Sequence, residues 1–426
     1  MILIDTALEA REREGRPVRV GVYGAGAMAA AFIDQVTTAV PGMRIAAVCN
    51  RTADRAMAAC RDAGIADVAT TDSVAALEDV VARGGTAVTD DPTLLTRSEQ
   101  IDCLVDITGA IDYGAAIALD AIECRKHLVL MNAEIDATIG ALLRRKADAA
   151  GIILTAADGD QPGVQLNLWR YVKGMGMTPR VLGNIKGLQD PYRTPTTQAA
   201  FAARWKQTPK MVTSFADGSK VNVEQAVVAN ATGFHVPKRG MYQYRHDGHV
   251  NDMTTMYDVD QLREWGGIVD YVVGAAPAPG VYCIAERAEP LHRHLLELYK
   301  LGEGPLYCFY HPYHLVHFEV HNTVARVVLF GDSCGTSLPE PTVEVVAIAK
   351  RDLLAGEVLD GYGEYMTYGE AENVPEVRAA GLVPEGLVEG CRLLADIAKD
   401  QPIHWSQVEA PSDSLAHRLY REMISG

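Results

Sequence analysis

The stretch VRVGVYGAGAMAAAF, residues 18–32, decides the fold. A short apolar run ends in glycine and is followed at once by a run rich in small residues. The first half reads as a buried strand and the second as a helix. Gly24, Gly26 and Ala29 stand in GxGxxA spacing, in which alanine is accepted at the third position. The first glycine permits the tight turn, and the second lets the backbone approach a pyrophosphate. The helix N-terminus then offers unpaired N–H groups to an anion. Glycine turns are common, but this one follows a strand, precedes a helix and opens a βαβ unit. Gly24, Ala25, Gly26, Ala27 and Met28 are therefore expected to hold a dinucleotide, the alternative being a purely structural turn.

Working outward, MRIAAVCNR (43–51), IDCLVDITG (101–109), HLVLMN (127–132) and GIILTAAD (151–158) read as strands. Helical segments over 52–64, 112–124 and 136–150 alternate with them. Alternation of this kind implies a parallel sheet covered on both faces. Residues 1–160 are thus expected to form an α/β domain, a Rossmann doubly wound parallel sheet. An NAD site commonly ends its second strand with an acidic residue on the ribose 2′-OH. Here the tip is Asn50, Arg51 and Thr52, which favours the 2′-phosphate of NADP. The alternative is that Arg51 is a solvated residue at a helix start.

Beyond residue 160 the texture changes. GVQLNLWRYVKGMG suggests a helix, VLGNIKGL a strand and TTQAAFAARW a helix. Residues 271–289 and 314–331 read as long strands around the helix HRHLLELYKLG. Residues 161–341 are expected to form an α+β substrate domain, which the resemblance given below makes an oligomerisation domain too, and 342–426 a compact β-rich module. Ligands of open sheets sit outside the carboxyl ends of the strands, in the crevice such a second domain would cover.

The 426 residues are too many for one growing core. A net charge of −16 argues against nucleic acid as a partner but permits small anions. No stretch has the length and apolarity of a membrane span. The opening MILIDTALEAREREGRP places its charges after the apolar patch, the wrong order for a secretory signal. Eight scattered cysteines without a CxxC pair read as reduced thiols, and a cytoplasmic location is expected.

Four polar clusters fall at strand ends or in loops: DITG (Asp106, Thr108, Gly109), MNAEID (Asn132, Glu134, Asp136), AADGDQPG (Asp158, Asp160, Gln161) and NIKGLQDPYRTPTT (184–197). Strand-end carboxylates and asparagines also cap helices, so for Asp106 and Asp136 capping and ligand contact both stand open. Thr108, Gly109 and Asn132 are expected beside the cofactor. Lys186 lies in an apolar strand, where an ammonium is costly without a partner. In a cleft it can stabilise charge on a substrate oxygen as hydride arrives. Asp190 or Glu134 would hold it or relay a proton, making Lys186, Asp190 and Glu134 the candidate catalytic set. Arg193 offers a fork for a carboxylate or phosphate. Thr197, with Thr194 and Thr196, adds hydroxyls or caps the next helix. An exposed turn with Lys186 pointing outward is the alternative. The segment 222–242 adds Glu224, Asn230, His235, Lys238 and Arg239, with GFHVPKRG as a loop able to close over a ligand. Asp160, Arg193, Thr197, His235 and Lys238 are the candidate substrate contacts. The histidines of 311–321 lack zinc spacing, whereas Asp158 and Asp160 suit Mg²⁺ or Mn²⁺ if the substrate is a phosphate.

The order GVYGAGAMA, VDITGAID, VLMNAEIDATIG, AADGDQPG, GNIKGLQDPYRTPTT resembles homoserine-dehydrogenase-like proteins that carry a C-terminal SAF-type domain. The tail AKRDLLAGEVLDGYGEY, with Lys350–Leu353 and Gly356–Glu357, is similar to the SAF signature. Some members of this branch resemble deoxyxylulose-5-phosphate-reductoisomerase-like enzymes, which use NADPH and a divalent cation. The resemblance covers nearly the whole chain. It implies an NADP-dependent oxidoreductase acting on a small anionic or polyhydroxylated carbonyl or polyol compound, extending to 1-deoxy-D-xylulose 5-phosphate, and a homo-oligomer. Where homoserine dehydrogenases carry a lysine after VLMNA, this chain has Glu134, which departs from that activity. A dehydrogenase of another homoserine-like, polyol or cyclitol substrate, and a non-catalytic nucleotide- or carbohydrate-binding protein, are the competing readings.

Overall fold

The structure, a computed structural model, describes residues 2–425. Packing divides the chain into two units. The first runs to Asp160 and regains Leu315–Pro339 and the segment from Arg418; the second holds Gln161–His314 and Glu340–His417. The three contiguous segments expected from sequence, 1–160, 161–341 and 342–426, leave 315–339 and the last residues outside the first.

The first unit is built on seven strands: β1 (Val18–Tyr23), β2 (Met43–Cys49), β3 (Val68–Thr70), β4 (Thr86–Thr89), β5 (Cys103–Asp106), β6 (His127–Leu130) and β7 (Leu154–Ala156). Their order is β3-β4-β2-β1-β5-β6-β7, and every neighbouring pair is parallel. The expected doubly wound α/β sheet is present. Because helices cover both faces, β1, β2 and β5 are buried almost throughout and read as continuous apolar runs rather than alternating ones.

Residues 314–331, expected as a strand, form the helix Val316–Ala325 and a π-helical turn Arg326–Phe330. β-branched residues and a partial alternation suggested period two. What counts is that Val320, Val324 and Val327 recur at helical spacing and insert into the core of the first unit. Residues 271–289 likewise are not one strand. APAPG interrupts them, because proline has no N–H to give a ladder.

The second unit holds β8 (Thr178–Lys186), β9 (Tyr244–Arg245), β10 (Ile268–Val273), β11 (Gly280–Glu286) and β12 (Leu306–His311) in the order β12-β11-β8-β10-β9. β8 and β10 are parallel, and β11 runs antiparallel to β8 and β12. Period two divides β8 cleanly. Val181 and Ile185 enter an apolar cluster with Met253, Tyr257 and Leu262. Leu182, Asn184 and Lys186 point the other way, toward the helices Gln161–Gly174 and Ser219–Thr232. The tail supplies the hairpin β13 (Val343–Ala349) and β14 (Thr367–Asn373), then the short pair β15 (Arg392–Leu393) and β16 (Val408–Glu409) around its own apolar cluster.

Candidate functional site

At the carboxyl end of β1 the first unit forms a turn of the expected kind. Gly24 has φ +111°, a left-handed conformation that side chains rarely adopt, and a Cβ there would stand 3.1 Å from the Ile107 carbonyl oxygen. Gly26 is exposed, N-caps the helix Ala27–Ala39 with no side-chain hydrogen bond, and a Cβ there would meet nothing within 4 Å. The first N–H groups of that helix have no side-chain cap, the arrangement that suits an anion. β1 pairs with β2 on one side and β5 on the other, so the turn stands at the switch point of the sheet. At the tip of β2, Asn50 Nδ2 donates to the Thr52 carbonyl 2.9 Å away. Arg51 is exposed and makes no hydrogen bond or ion pair with the described residues. Thr108 and Gly109 follow β5, with Gly109 exposed at φ +64°.

Asn132 is placed differently from the expectation of a cofactor contact. It is fully buried and N-caps the helix Ala133–Ala150. Its amide donates to Asp106 Oδ2 (3.0 Å) and to the Ala110 carbonyl (3.1 Å), while its oxygen accepts from Ile135 N–H. Its side chain is spent on joining the ends of β5 and β6. Asp106 accepts from the Thr108 hydroxyl and N–H as well, so it orders the loop instead of capping a helix. Burial pushes its carboxyl above the usual range, the Thr108 and Asn132 hydrogen bonds opposing; the Glu134 charge adds a smaller push upward. Glu134 itself is buried in the first turn of the next helix.

Asp136, one turn into that helix, is buried and accepts from Ser337 Oγ at 2.9 Å. Burial pushes its pKa up to about 6, against about 3.9 for a free aspartate. The unfolded chain ionises near pH 4, whereas the folded one keeps its proton to about 6. Stability is therefore lost as pH rises across that window, by about 3 kcal/mol at most. Asp136→Asn keeps the acceptor for Ser337 and removes the penalty. Its melting temperature minus that of the wild type should grow between pH 4.5 and 7; a difference flat with pH would show that Asp136 titrates normally.

Asp158, considered as a metal ligand, is committed elsewhere. It is 2% exposed and takes both Oδ contacts from Arg326 Nη1 (3.0 and 3.2 Å) and a hydroxyl from Thr323 (2.7 Å). Among the described residues no group of three or more His, Cys, Asp or Glu is placed to hold a metal ion. On Asp158 the Mg²⁺ or Mn²⁺ expectation does not fit. A carboxylate already neutralised by a guanidinium has little left to offer a cation.

In the second unit the helix Ser219–Thr232 is buried on every side through Asn230, although that buried stretch carries six polar residues. Four of them bind strand backbone. Ser219 Oγ accepts from Gly369 N–H, Asn222 Oδ1 from Ala371 N–H and Asn230 Oδ1 from Val343 N–H; Gln225 Nε2 donates to the Leu182 and Asp270 carbonyls. Lys220 and Glu224 remain, one turn apart on a single face. Glu224 Oε2 accepts from Asn184 Nδ2 at 3.1 Å, and Asn184 also bonds Gln161. The Gln161 amide lies 3.0 Å from His314 Nε2.

Lys186 completes this cluster two residues along the same face of β8. The residue is half-buried, but its ammonium end is deeply enclosed and has no hydrogen-bond or ion-pair partner among the described residues. Burial lowers its pKa most; the Glu224 carboxylate opposes that, and the Lys220 charge adds to it. A lysine so destabilised can give up its proton far more readily than a surface one.

Asp190, the expected companion on the same segment, does not join this cluster. Asp190 pairs with Arg193 (Nε to Oδ2 3.0 Å) and accepts from Tyr192 N–H, so it closes a turn and does not hold Lys186. Thr197 forms a capping box with Thr194 at the start of the helix Pro195–Arg204. Lys350 of the tail, 4% exposed, donates to the Arg193 carbonyl, Glu364 carbonyl and Asp217 at 2.8–2.9 Å, and so anchors the segment. The GFHVPKRG loop is pinned too. Val236 exchanges two hydrogen bonds with Asn373, His235 continues the edge of β10 through its backbone, and Arg239 pairs with Glu372. It is no free lid, and His235 and Lys238 lie exposed.

The sequence singles out Gln161 and Glu224 without a catalytic role, and Lys220 and Asn184 enter only with the structure. Two signals pointed to the last two: the i, i+4 spacing of Lys220 and Glu224, and the i, i+2 spacing of Asn184 and Lys186.

The first unit thus holds a dinucleotide-type turn, and the second a buried lysine–carboxylate cluster. Residues 159–320, which contain the whole cluster, match the family described as oxidoreductase DRL, catalytic domain. No curated protein matches the chain. Among solved structures it is similar to a probable dehydrogenase from Thermotoga maritima (11% identity, 74% of this chain and 90% of that one, TM-score 0.42). It is also similar to a myo-inositol dehydrogenase from Lactobacillus casei in complex with NAD(H) and myo-inositol (14%, 69% and 74%, TM-score 0.38). A third is an NAD-binding oxidoreductase from Klebsiella pneumoniae (14%, TM-score 0.31), of whose length the chain spans 45%. At these scores the likeness says nothing of substrate. No helix among the described residues is long and apolar enough to cross a membrane.

Proposed function

We propose that the protein is an NADP-dependent oxidoreductase that acts on a small polar, anionic or polyhydroxylated carbonyl or polyol compound. The observation that carries this reading is the enclosed Lys186 ammonium beside Glu224 and Lys220, inside the region that matches an oxidoreductase catalytic domain. When bound, the nicotinamide supplies or accepts the hydride. Lys186 hydrogen-bonds the substrate oxygen and passes its proton to that oxygen as charge develops there. Glu224, fixed by Asn184, keeps Lys186 protonated between turnovers, and Lys220 adds positive potential that draws an anionic substrate. Gln161 and Asn184 orient the substrate hydroxyls.

Arg51 supports the preference for NADP. An exposed guanidinium with no internal partner, at the ribose end of the site, suits a 2′-phosphate. Arg51→Ala should raise the KM for NADPH roughly tenfold or more, the size of one charge-assisted hydrogen bond, and leave that for NADH unchanged. Equal effects on both, or a wild-type preference for NADH, would overturn the assignment.

The finer reading is reduction with rearrangement of 1-deoxy-D-xylulose 5-phosphate, supported by the sequence resemblance and the paired lysines. NADPH oxidation on adding that substrate, with and without Mg²⁺ or Mn²⁺, tests it. A response to cyclitols or other polyols in its place would favour the plain dehydrogenase reading.

A further inference from the structure

At the amino end of the first unit's sheet, away from the dinucleotide turn, Arg11, Arg16, Arg19 and Arg44 line one cavity of about 370 Å³, with Asp102 as its single acidic lining residue. The cavity is made by the end of the helix Ile2–Arg13, the turn through Gly15 and Pro17, and the first residues of β1 and β2. β1 is six residues long, so it separates this cavity from Gly24 by about 20 Å.

The internal partners do not balance these four cations. Asp102 is taken by Arg19, which binds it through Nε and Nη2 and also bonds Gln100. Glu14 pairs with Arg16 at 2.6 Å. Arg44 donates through Nη2 to the Val81 carbonyl (2.8 Å), and its Nε is buried without a partner. Arg11 makes no side-chain hydrogen bond or ion pair among the described residues, and its Nε is likewise buried and unpaired. Glu78 and Glu99 stand near Arg19, Glu78 through its charge and Glu99 through its carbonyl. Burial, and then the charge of Arg19, lower the pKa of Arg44, with the Asp102 charge opposing. In a chain of net charge −16, gathering four arginines around one cavity is costly unless something negative joins them.

We propose that this cavity is a second anion site, which binds a phosphate group between Arg11, Arg16 and Arg44 while Arg19 and Asp102 brace its wall. Planar guanidinium forks match the tetrahedral oxyanion bidentately, and several together favour a dianion over a single negative charge. The site lies apart from the residues assigned to the dinucleotide.

Calorimetric titration of the full chain with inorganic phosphate, at low ionic strength and with saturating NADPH to block the Gly26 turn, tests the proposal. A saturable site is expected that persists in Lys220→Ala and is weakened at least tenfold in Arg11→Gln and in Arg44→Gln. Arg11 makes no internal bond, so Arg11→Gln should keep the wild-type melting temperature and remains informative if Arg44→Gln folds poorly. A simple alkyl phosphate monoester serves as a second probe. Tighter binding of the monoester points to a phosphorylated metabolite, and tighter binding of phosphate to the free ion; either supports the site. No saturable binding of either probe, or binding equal in wild type and Arg11→Gln, would overturn it.

Discussion

Replacing Lys186 by alanine is expected to lower kcat by roughly a hundred- to ten-thousand-fold, the range for loss of a general acid, while the affinity for NADPH is unchanged. The lysine sits at the end of β8 and its ammonium makes no hydrogen bond to the described residues, so its removal strands no hydrogen-bond partner. Its neighbours make the expectation specific. Glu224 raises the pKa of Lys186 and Lys220 lowers it, in addition to the larger lowering by burial. Glu224→Gln should therefore move the alkaline limb of the kcat profile to lower pH, and Lys220→Ala should move it to higher pH. Opposite displacements by two residues of one helix are not what a general loss of structure produces. Equal turnover in wild type and Lys186→Ala would return the lysine to a merely structural place, and the function with it to binding.

Arg326→Ala is expected to destabilise the protein by about 3–5 kcal/mol, the cost of stranding one member of a buried ion pair. Asp158 and Arg326 are 2% and 6% exposed, and Arg326 also holds Asp332 (2.9 Å) and the Ser333 carbonyl (2.7 Å). It thereby ties the end of β7 to the returning segment Leu315–Pro339, both inside the first unit. Removing both charges, as in Asp158→Leu with Arg326→Met, should recover much of the loss, because the larger part is the unpaired carboxylate and not the missing attraction. Mg²⁺ should leave the wild-type melting temperature unmoved. A rise in melting temperature on adding the cation would restore Asp158 as a ligand. Denaturant unfolding of the single and double variants measures the rest.

Much of the first unit was legible because its signals are local. Gly24 and Gly26 mark a turn by their spacing, and a strand covered on both faces reads as an apolar run whatever lies beyond it. The segment 314–331 was not legible for the opposite reason. Its β-branched residues favour a strand in isolation, and only the core it enters decides that Val320, Val324 and Val327 face one way.

The candidate site divides along the same line. Lys186 was conspicuous, since a lysine inside an apolar strand needs an explanation. Asp190, its expected companion on the same segment, does not hold it, because nearness in sequence is not nearness in space. Asp190 is close along the chain, but its backbone turns it onto Arg193. Glu224 and Lys220 lie on a helix buried all round, where no polar face stands out. By itself the sequence determined the nucleotide-type turn, the alternation of strands and helices, and the lysine in want of a partner, all set by contacts a few residues apart. Which polar residues of the buried helix serve strand backbone and which reach Lys186 was decided only by tertiary structure, because the hairpin β13–β14 and the strand β8 take up different faces of that helix.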